Sequence, residues 1–301
     1  MRRKNGGWGT AAAFGAYAMW GVFPLYWKQL KTVESLQVLS HRIVWAAAFC
    51  FILMTLSRRL GEAWALFRNA KKIGWVVFAS LLATSNWGLY IWAVNSGRVM
   101  ESALGYYINP LLSVAFGAVF FRERVDAWTR AAVALAAAGI LGAAAFYGSV
   151  PWISLLLAIT FAAYGAVKKR LAVEPLLGLS VETLVSAPLA LAFLFIRHAA
   201  GAGAFLRGSP AQTALLVLSG AVTAIPLILF AAAANTISLQ KMGFIQYVSP
   251  TGQLILGMAV FGERPTAALL VAFAGVLGAV VIYVSTRNLP EKGPGRPKAG
   301  V

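Results

Sequence analysis

One internal match restricts the fold of this chain more than any other feature. Displaced by 140 positions, Leu89, Ala93, Asn95, Tyr107, Pro110, Gly117, Phe121, Glu123 and Arg124 fall on Leu229, Ala233, Asn235, Tyr247, Pro250, Gly257, Phe261, Glu263 and Arg264 without a gap. Weaker matches extend it: Trp20-Gly21 falls on Tyr164-Gly165 at an offset of 144, and His41 on Glu182 at 141. Both copies lie in strongly apolar stretches, so their spatial relation depends on how often the chain crosses its solvent.

That solvent is lipid. Hydrophobic residues make up 60% of the 301 and charged residues 12%, where a soluble domain carries about 25% charged residues. Ten stretches, 8–27, 37–57, 73–95, 101–121, 128–147, 151–167, 178–197, 213–234, 241–261 and 266–285, are each long enough to cross a hydrocarbon core of about 30 Å as helices. The halves 1–147 and 148–286 hold five each, and 287–301 reads as a flexible tail rich in proline, glycine and lysine. Five is odd, so the second copy enters the membrane upside down. The expected fold class is an all-α membrane protein of ten transmembrane helices, arranged as two inverted five-helix repeats about a pseudo-two-fold axis in the membrane plane. Such halves give similar gates on the two sides of a central cavity, the signature of alternating access. The matched Pro110 and Pro250, about nine residues into their helices, are expected to kink them there.

The N-terminal Arg2, Arg3 and Lys4 before an apolar run resemble a signal peptide. Trp20, Pro24, Trp27 and Lys28 follow where a small-residue cleavage site is wanted, so this is read as a retained first helix.

A formal net charge of +17 invites a nucleic-acid reading, and its distribution argues against one. With the N-terminus in the cytoplasm, 19 lysines and arginines fall on the cytoplasmic side, six on the other, and Arg42 inside a helix. This bias sets both termini in the cytoplasm and names the lipid bilayer, not nucleic acid, as the partner of the charge. Cys50 stands alone, and His41 and His198 lack the neighbouring carboxylates of a metal site, so neither a metal nor a cofactor is expected. No Walker-type glycine-rich loop with its lysine is visible.

Polar side chains inside the spans are the candidates for a central site, because an ionisable group at the midplane costs roughly 2.5–3.5 kcal/mol. The third span offers Asn86, Trp87, Tyr90 and Asn95, with Asn86 and Tyr90 one helical turn apart on one face. Tyr106, Tyr107 and Asn109 precede Pro110 in the fourth, while Gln246, Tyr247 and Gln253 surround Pro250 in the ninth. Trp20 and Tyr164 also lie deep, whereas Trp8, Trp27, Trp75, Trp128 and Trp152 fit an interfacial belt. Apolar walls with a few polar handles suit a small amphipathic molecule; core packing is the competing reading. Arg42 offers a fixed fork for a carboxylate or phosphate, or else snorkels to the outer surface. Glu101 lies in a first helical turn, where a carboxylate offsets the dipole. Glu182 is the candidate for proton coupling or amine binding, with an ion pair that locks one gate as the alternative. The pairs at Glu123 and Glu263 end their helices at opposite faces and read as symmetric gate elements.

Asn86-Trp87, Ile91-Trp92-Ala93-Val94-Asn95, Glu101-Ser102 and Leu104-Gly105-Tyr106-Tyr107-Ile108-Asn109-Pro110-Leu111 resemble the RarD branch of the EamA group in the drug/metabolite transporter superfamily. So do His41-Arg42 with Trp45, Tyr164-Gly165, Glu182-Thr183, Gly243-Phe244, Gln246-Tyr247 and Gly262-Glu263. Arg122 departs from the family's glycine before Glu123. The resemblance implies a ten-helix protein of a bacterial-type inner membrane that moves small metabolites or drugs through a central basket. Members are associated with chloramphenicol sensitivity and relatives export amino acids, so the branch does not decide a substrate.

The expected function is therefore secondary transport of small organic solutes, amino-acid-like metabolites or amphipathic drugs such as chloramphenicol-type compounds, with protons as a candidate coupling ion. A channel-like facilitator is the alternative. An intramembrane enzyme would need clustered carboxylates or a nucleophile with its base, and nine scattered acids supply no such cluster. The small-residue patterns Gly139 to Gly142 and Gly275 to Gly278 suit helix packing within one chain or in a homodimer.

Overall fold

Long apolar runs without water to satisfy their amides have one local solution, the helix. The computed structural model describes residues 6–121, 126–148, 150–171, 173–234 and 245–287, and all regular structure among them is helical. In chain order the helices are α1 (Gly6–Lys28), α2 (Ser35–Leu56), α3 (Leu60–Phe67), α4 (Ala70–Asn95), α5 (Val99–Phe121), α6 (Ala127–Tyr147), α7 (Trp152–Leu171), α8 (Pro175–Ala199), α9 (Pro210–Ala234), α10 (Val248–Ala259) and α11 (Ala267–Arg287). Their ends follow local chemistry. Asn69 caps α4 by accepting from the amides of Lys71 and Lys72, Asp126 caps α6 through Thr129, and Glu174 caps α8 through Leu176 and Leu177. Gly148, at φ +63°, closes α6 in the left-handed conformation that a side chain would resist.

Among the described residues six helices are long and apolar enough to cross a membrane, and Trp152–Lys168 and Ala267–Tyr283 are shorter apolar helices. Large side chains such as Phe51, Leu56, Phe120, Phe146, Leu189 and Phe195 stand exposed on the outer faces, an arrangement stable against acyl chains and not against water. The protein is a multi-pass membrane protein.

Every expected span overlaps a helix, although α10 begins only at Val248, and residues 241–244 of that span lie outside the described residues. The connection 58–72 contains α3. This short helix buries Ala63 and Leu66 and leaves Trp64 and Phe67 exposed and stacked at 6.0 Å.

Packing places α2 against α8 and α9, α6 against α11, and α5 against α10. Around these, α1 lies on α9 and α10, while α7 lies on α4 and α5. The α6–α11 seam depends on glycine: a Cβ on Gly139 would stand 2.8 Å from the Gly275 Cα. The two small-residue patterns thus meet within one chain, where backbones must approach closely to gain dispersion energy that lipid does not already supply. Contacts tie together the end of the bundle opposite to the start of α1. There Lys28 donates to the Val94 carbonyl, Arg197 pairs with Glu34, and Ser154 donates to the Glu101 carbonyl. We call this the far end and the end where α1 begins the near end.

Candidate functional site

Helix α2 is buried on all sides from Gln37 to Ile43, which places Arg42 inside the bundle about 10 Å from the far end of its helix. Arg42 is only 5% exposed, and its Nε donates to Thr223 Oγ1 on α9 at 2.9 Å. Thr223 in turn donates to the Ser219 carbonyl, so its hydroxyl hydrogen is committed and its oxygen faces the guanidinium. The guanidinium carbon lies 4.3 Å from the Trp87 ring centroid and 5.0 Å from that of Trp27. Each such contact contributes about 0.5–2 kcal/mol, which offsets part of the cost of a charge in a low-dielectric interior. Tyr26, Tyr90 and Tyr106 stand near the cation.

Among the described residues Arg42 has no ion-pair partner, and the bond from Nε is its only hydrogen bond to protein. Its Nη groups are therefore directed at no protein acceptor. Two neighbouring donors share this condition: the Trp27 indole N–H and the Tyr90 hydroxyl are buried without a partner. Trp27 is 0% exposed, which corrects the expectation of an interfacial residue. Although only one residue before the end of α1, it lies in a buried cluster with Phe23, Leu30, Val38 and Leu39.

A second polar cluster lies at matching depth from the near end, about 10 Å along α8. Glu182 is 3% exposed, pairs with Lys168 Nζ at 2.7 Å and accepts from the Tyr164 hydroxyl at 2.9 Å. Lys168, one of the basic residues counted on the cytoplasmic side, reaches Glu182 from the last turns of α7. Ser80 donates to the Glu182 carbonyl at 2.7 Å and lies 2.6 Å from Ser186 Oγ. Beside them is a crevice of about 10 Å³ lined by Ser80, Thr84, Trp87, Glu182 and Ser186, room for about one water molecule. Trp87 thus contacts Arg42 and also walls the crevice by Glu182.

A hollow of about 410 Å³ lies at the far end among Arg98, Glu101, Trp152, Glu263 and Arg264. It is bounded by helix ends and open, so it reads as the mouth between elements rather than as an enclosed site. Glu101 pairs with Arg98 at 3.2 Å. The cap on α5 comes from Glu263, whose two carboxylate oxygens accept from the amides of Val99 at 2.8 Å and Met100 at 2.9 Å. Nothing local in the sequence announces a helix cap supplied from more than 160 residues away.

The remaining candidates divide. Tyr107 and Tyr247, matched in the sequence repeat, stack on one another at 6.0 Å with a 23° tilt, and the Tyr107 hydroxyl lies 2.6 Å from Thr251 Oγ1. Tyr90 and Tyr106 meet edge to face at 5.7 Å beside Arg42. Asn86 does not face an open space: its Nδ2 donates to the Leu157 carbonyl and Thr160, both at 2.9 Å, and bolts α4 to α7. Asn95 donates to Ser35 at 3.4 Å near the far end. Trp20 packs against Tyr17 and Phe230, and its carbonyl accepts from buried Gln253 at 3.3 Å. His41 lies against Phe205, Asn109 is buried, and Gln246 stands in the turn before α10. Pro110 lies inside α5 as expected, and Pro250 lies just after an interruption at 246–247 that separates helical residue 245 from α10. The chain turns at 246–247 and α10 starts at Val248, so Pro250 occupies a first turn, where its missing amide costs nothing. Glu123 lies outside the described residues.

Comparison with known proteins agrees with this architecture. Residues 7–145 match the EamA-like transporter family. The chain is 40% identical over 272 residues to the uncharacterized transporter YojE of Bacillus subtilis, covering 89% of this chain and 90% of that protein. It is likewise 40% identical to the RarD protein of Streptomyces exfoliatus, over 91% of this chain and 87% of that one. To Escherichia coli RarD it is 36% identical, over 94% and 96%. The fold also matches a crystal structure with a TM-score of 0.60, covering 92% of this chain and 98% of that one at 18% identity, a likeness of fold alone. With identities of this size along nearly its whole length, the chain belongs to the EamA-like transporter family and stands among its RarD-type members.

Proposed function

We propose that this protein is a secondary transporter of small organic solutes, amino-acid-like or amphipathic, that works by alternating access of two inverted halves in a bacterial-type inner membrane with both termini cytoplasmic. The observation that carries the reading is an exchange symmetry in the helix contacts. Interchanging α1, α2, α4, α5 and α6 with α7, α8, α9, α10 and α11 turns each principal contact into another that also occurs: α1 on α9 and α10 becomes α7 on α4 and α5, while α2 with α8, α5 with α10 and α6 with α11 map onto themselves. The stacked Tyr107 and Tyr247 lie where such an axis would run.

Two polar clusters then occupy opposite sides of the centre, Arg42 toward the far end and Glu182 toward the near end, with Trp87 between them. Access from one side requires the helix ends on that side to part while those on the other stay closed. Protons are the coupling ion to test first, with Glu182 as the carboxylate.

The experiment is counterflow into proteoliposomes preloaded with amino acids and small drugs, chloramphenicol included, with wild type beside Arg42→Ala and Glu182→Gln. Saturable exchange accelerated by solute on the opposite side is the expected result. Flux that neither saturates nor responds to solute on the opposite side would replace the carrier with a channel.

A further inference from the structure

Arg42 is held as a binding group is held, with one edge tied down and the other left open. Nε is committed to Thr223, whose own hydrogen is committed to Ser219. Trp87 and Trp27 carry the cation on their rings. What remains is the end of the fork, two Nη groups with no protein acceptor among the described residues, beside two buried donors without partners, Trp27 Nε1 and the Tyr90 hydroxyl. All three side chains are at most 5% exposed. A buried cation surrounded by unanswered donors, in a bundle where every unsatisfied polar group is costly, is half of an ion pair.

We infer that the missing half is a carboxylate of the transported solute, received end-on by the two Nη groups of Arg42 with the Tyr90 hydroxyl and the Trp27 indole N–H as neutral donors. The inference rests on the transporter reading and narrows its substrate to organic anions with one carboxylate. Charge balance selects that class. One cation and two neutral donors compensate a single negative charge, whereas a phosphate monoester, near −2 at neutral pH, leaves charge uncompensated in a low-dielectric interior. The planar fork matches the planar carboxylate in two parallel hydrogen bonds. A solute that brings only an ammonium group meets a cation here and is repelled. The rings of Trp87 and Tyr106 at the same place favour an apolar or aromatic body behind the carboxylate.

The test uses the full-length protein and probes that differ in the head group alone: benzoate and phenylacetate, their amides benzamide and phenylacetamide, phenyl phosphate, and benzylamine. Equilibrium binding to protein in nanodiscs and counterflow in proteoliposomes are read in parallel. The expected result is that the carboxylates bind and the amides, the amine and the phosphate bind more weakly. Arg42→Gln should lower carboxylate affinity at least about tenfold, as loss of a charge-assisted pair implies, and Arg42→Lys less so. Tyr90→Phe keeps the ring and the fold, and should weaken carboxylates several-fold while leaving benzamide unchanged. Carboxylate binding that needs Arg42 but comes with no exchange would refute the carrier and leave the site standing. The inference itself is overturned if amides, benzylamine or phenyl phosphate bind as well as benzoate, if folded Arg42→Gln binds carboxylates like wild type, or if no carboxylate binds at all.

Discussion

Replacing Glu263 by glutamine tests whether the far end is latched by one carboxylate. Its two oxygens accept from the Val99 and Met100 amides at 2.8 and 2.9 Å, so the connection after α10 caps the start of α5. Glutamine keeps one acceptor and turns an NH₂ toward the other amide, and the charge that answered the helix dipole is gone. One charge-assisted bond lost contributes about 1.5–3 kcal/mol, less for a half-exposed group, and the dipole about 0.3–1 kcal/mol. Relief of repulsion from the neighbouring Glu101 returns part of this. The net loss is about 2 kcal/mol, which multiplies the population with α5 and α10 parted at this end by about thirty. Met100 reports that parting, because its side chain is 3% exposed and packs on Gly257 of α10. In a Cys50→Ala, Met100→Cys background, alkylation by a thiol reagent should run about thirtyfold faster with Glu263→Gln, and Glu263→Asp should fall between. A rate within twofold of the parent, with all variants folded, would show that the carboxylate closes nothing and that the cap is only local stabilisation.

Other outcomes follow from the same contacts. Lys168→Met strands the buried Glu182 carboxylate with the Tyr164 hydroxyl and should cost about 3–5 kcal/mol in unfolding free energy, most of it recovered by adding Glu182→Gln; a double-mutant cycle in detergent measures both. Gly139→Leu drives a side chain into the Gly275 backbone and should cost about 3 kcal/mol or more. Gly142→Leu is the control, since a Cβ there finds only Val271 Cγ1 at 4.0 Å; equal thermal midpoints for the two variants would disprove the seam. Asn86→Leu removes the bolt to Leu157 and Thr160, worth about 1 kcal/mol in a membrane. It should lower the melting temperature slightly and leave counterflow intact; abolished transport in a folded variant would return Asn86 to the solute path.

How much of the site could be read in advance depended on the kind of signal. Arg42 and Glu182 stood out because a charge inside an apolar run is costly wherever the run is placed. Tyr107 and Tyr247 stood out because the chain repeats them. Thr223 carries no signal of its own, since threonine is ordinary in a membrane helix, and only its position across from Arg42 makes it matter. Lys168 was one of many cytoplasmic-side charges until α7 set it on Glu182. Trp27, near a helix end, had the address of an interfacial residue and is instead the floor beneath Arg42. Pro250 told of the break at 246–247 through its chemistry, since its ring clashes with the carbonyl four residues before it, whereas hydropathy records no broken helix.

By itself the sequence determined the solvent and the unit of construction: apolar runs of membrane-spanning length, a charge bias between the ends of those runs, and a motif stated twice. These are properties of residue type and spacing, legible in one dimension. Tertiary structure alone decided which side chains meet. Helices apolar on every face carry little amphipathic signal of which side turns inward, so the rotation of each helix is set only by packing against its neighbours. That rotation puts Thr223 on Arg42, Lys168 on Glu182, Gly139 on Gly275 and the Glu263 carboxylate on the start of α5.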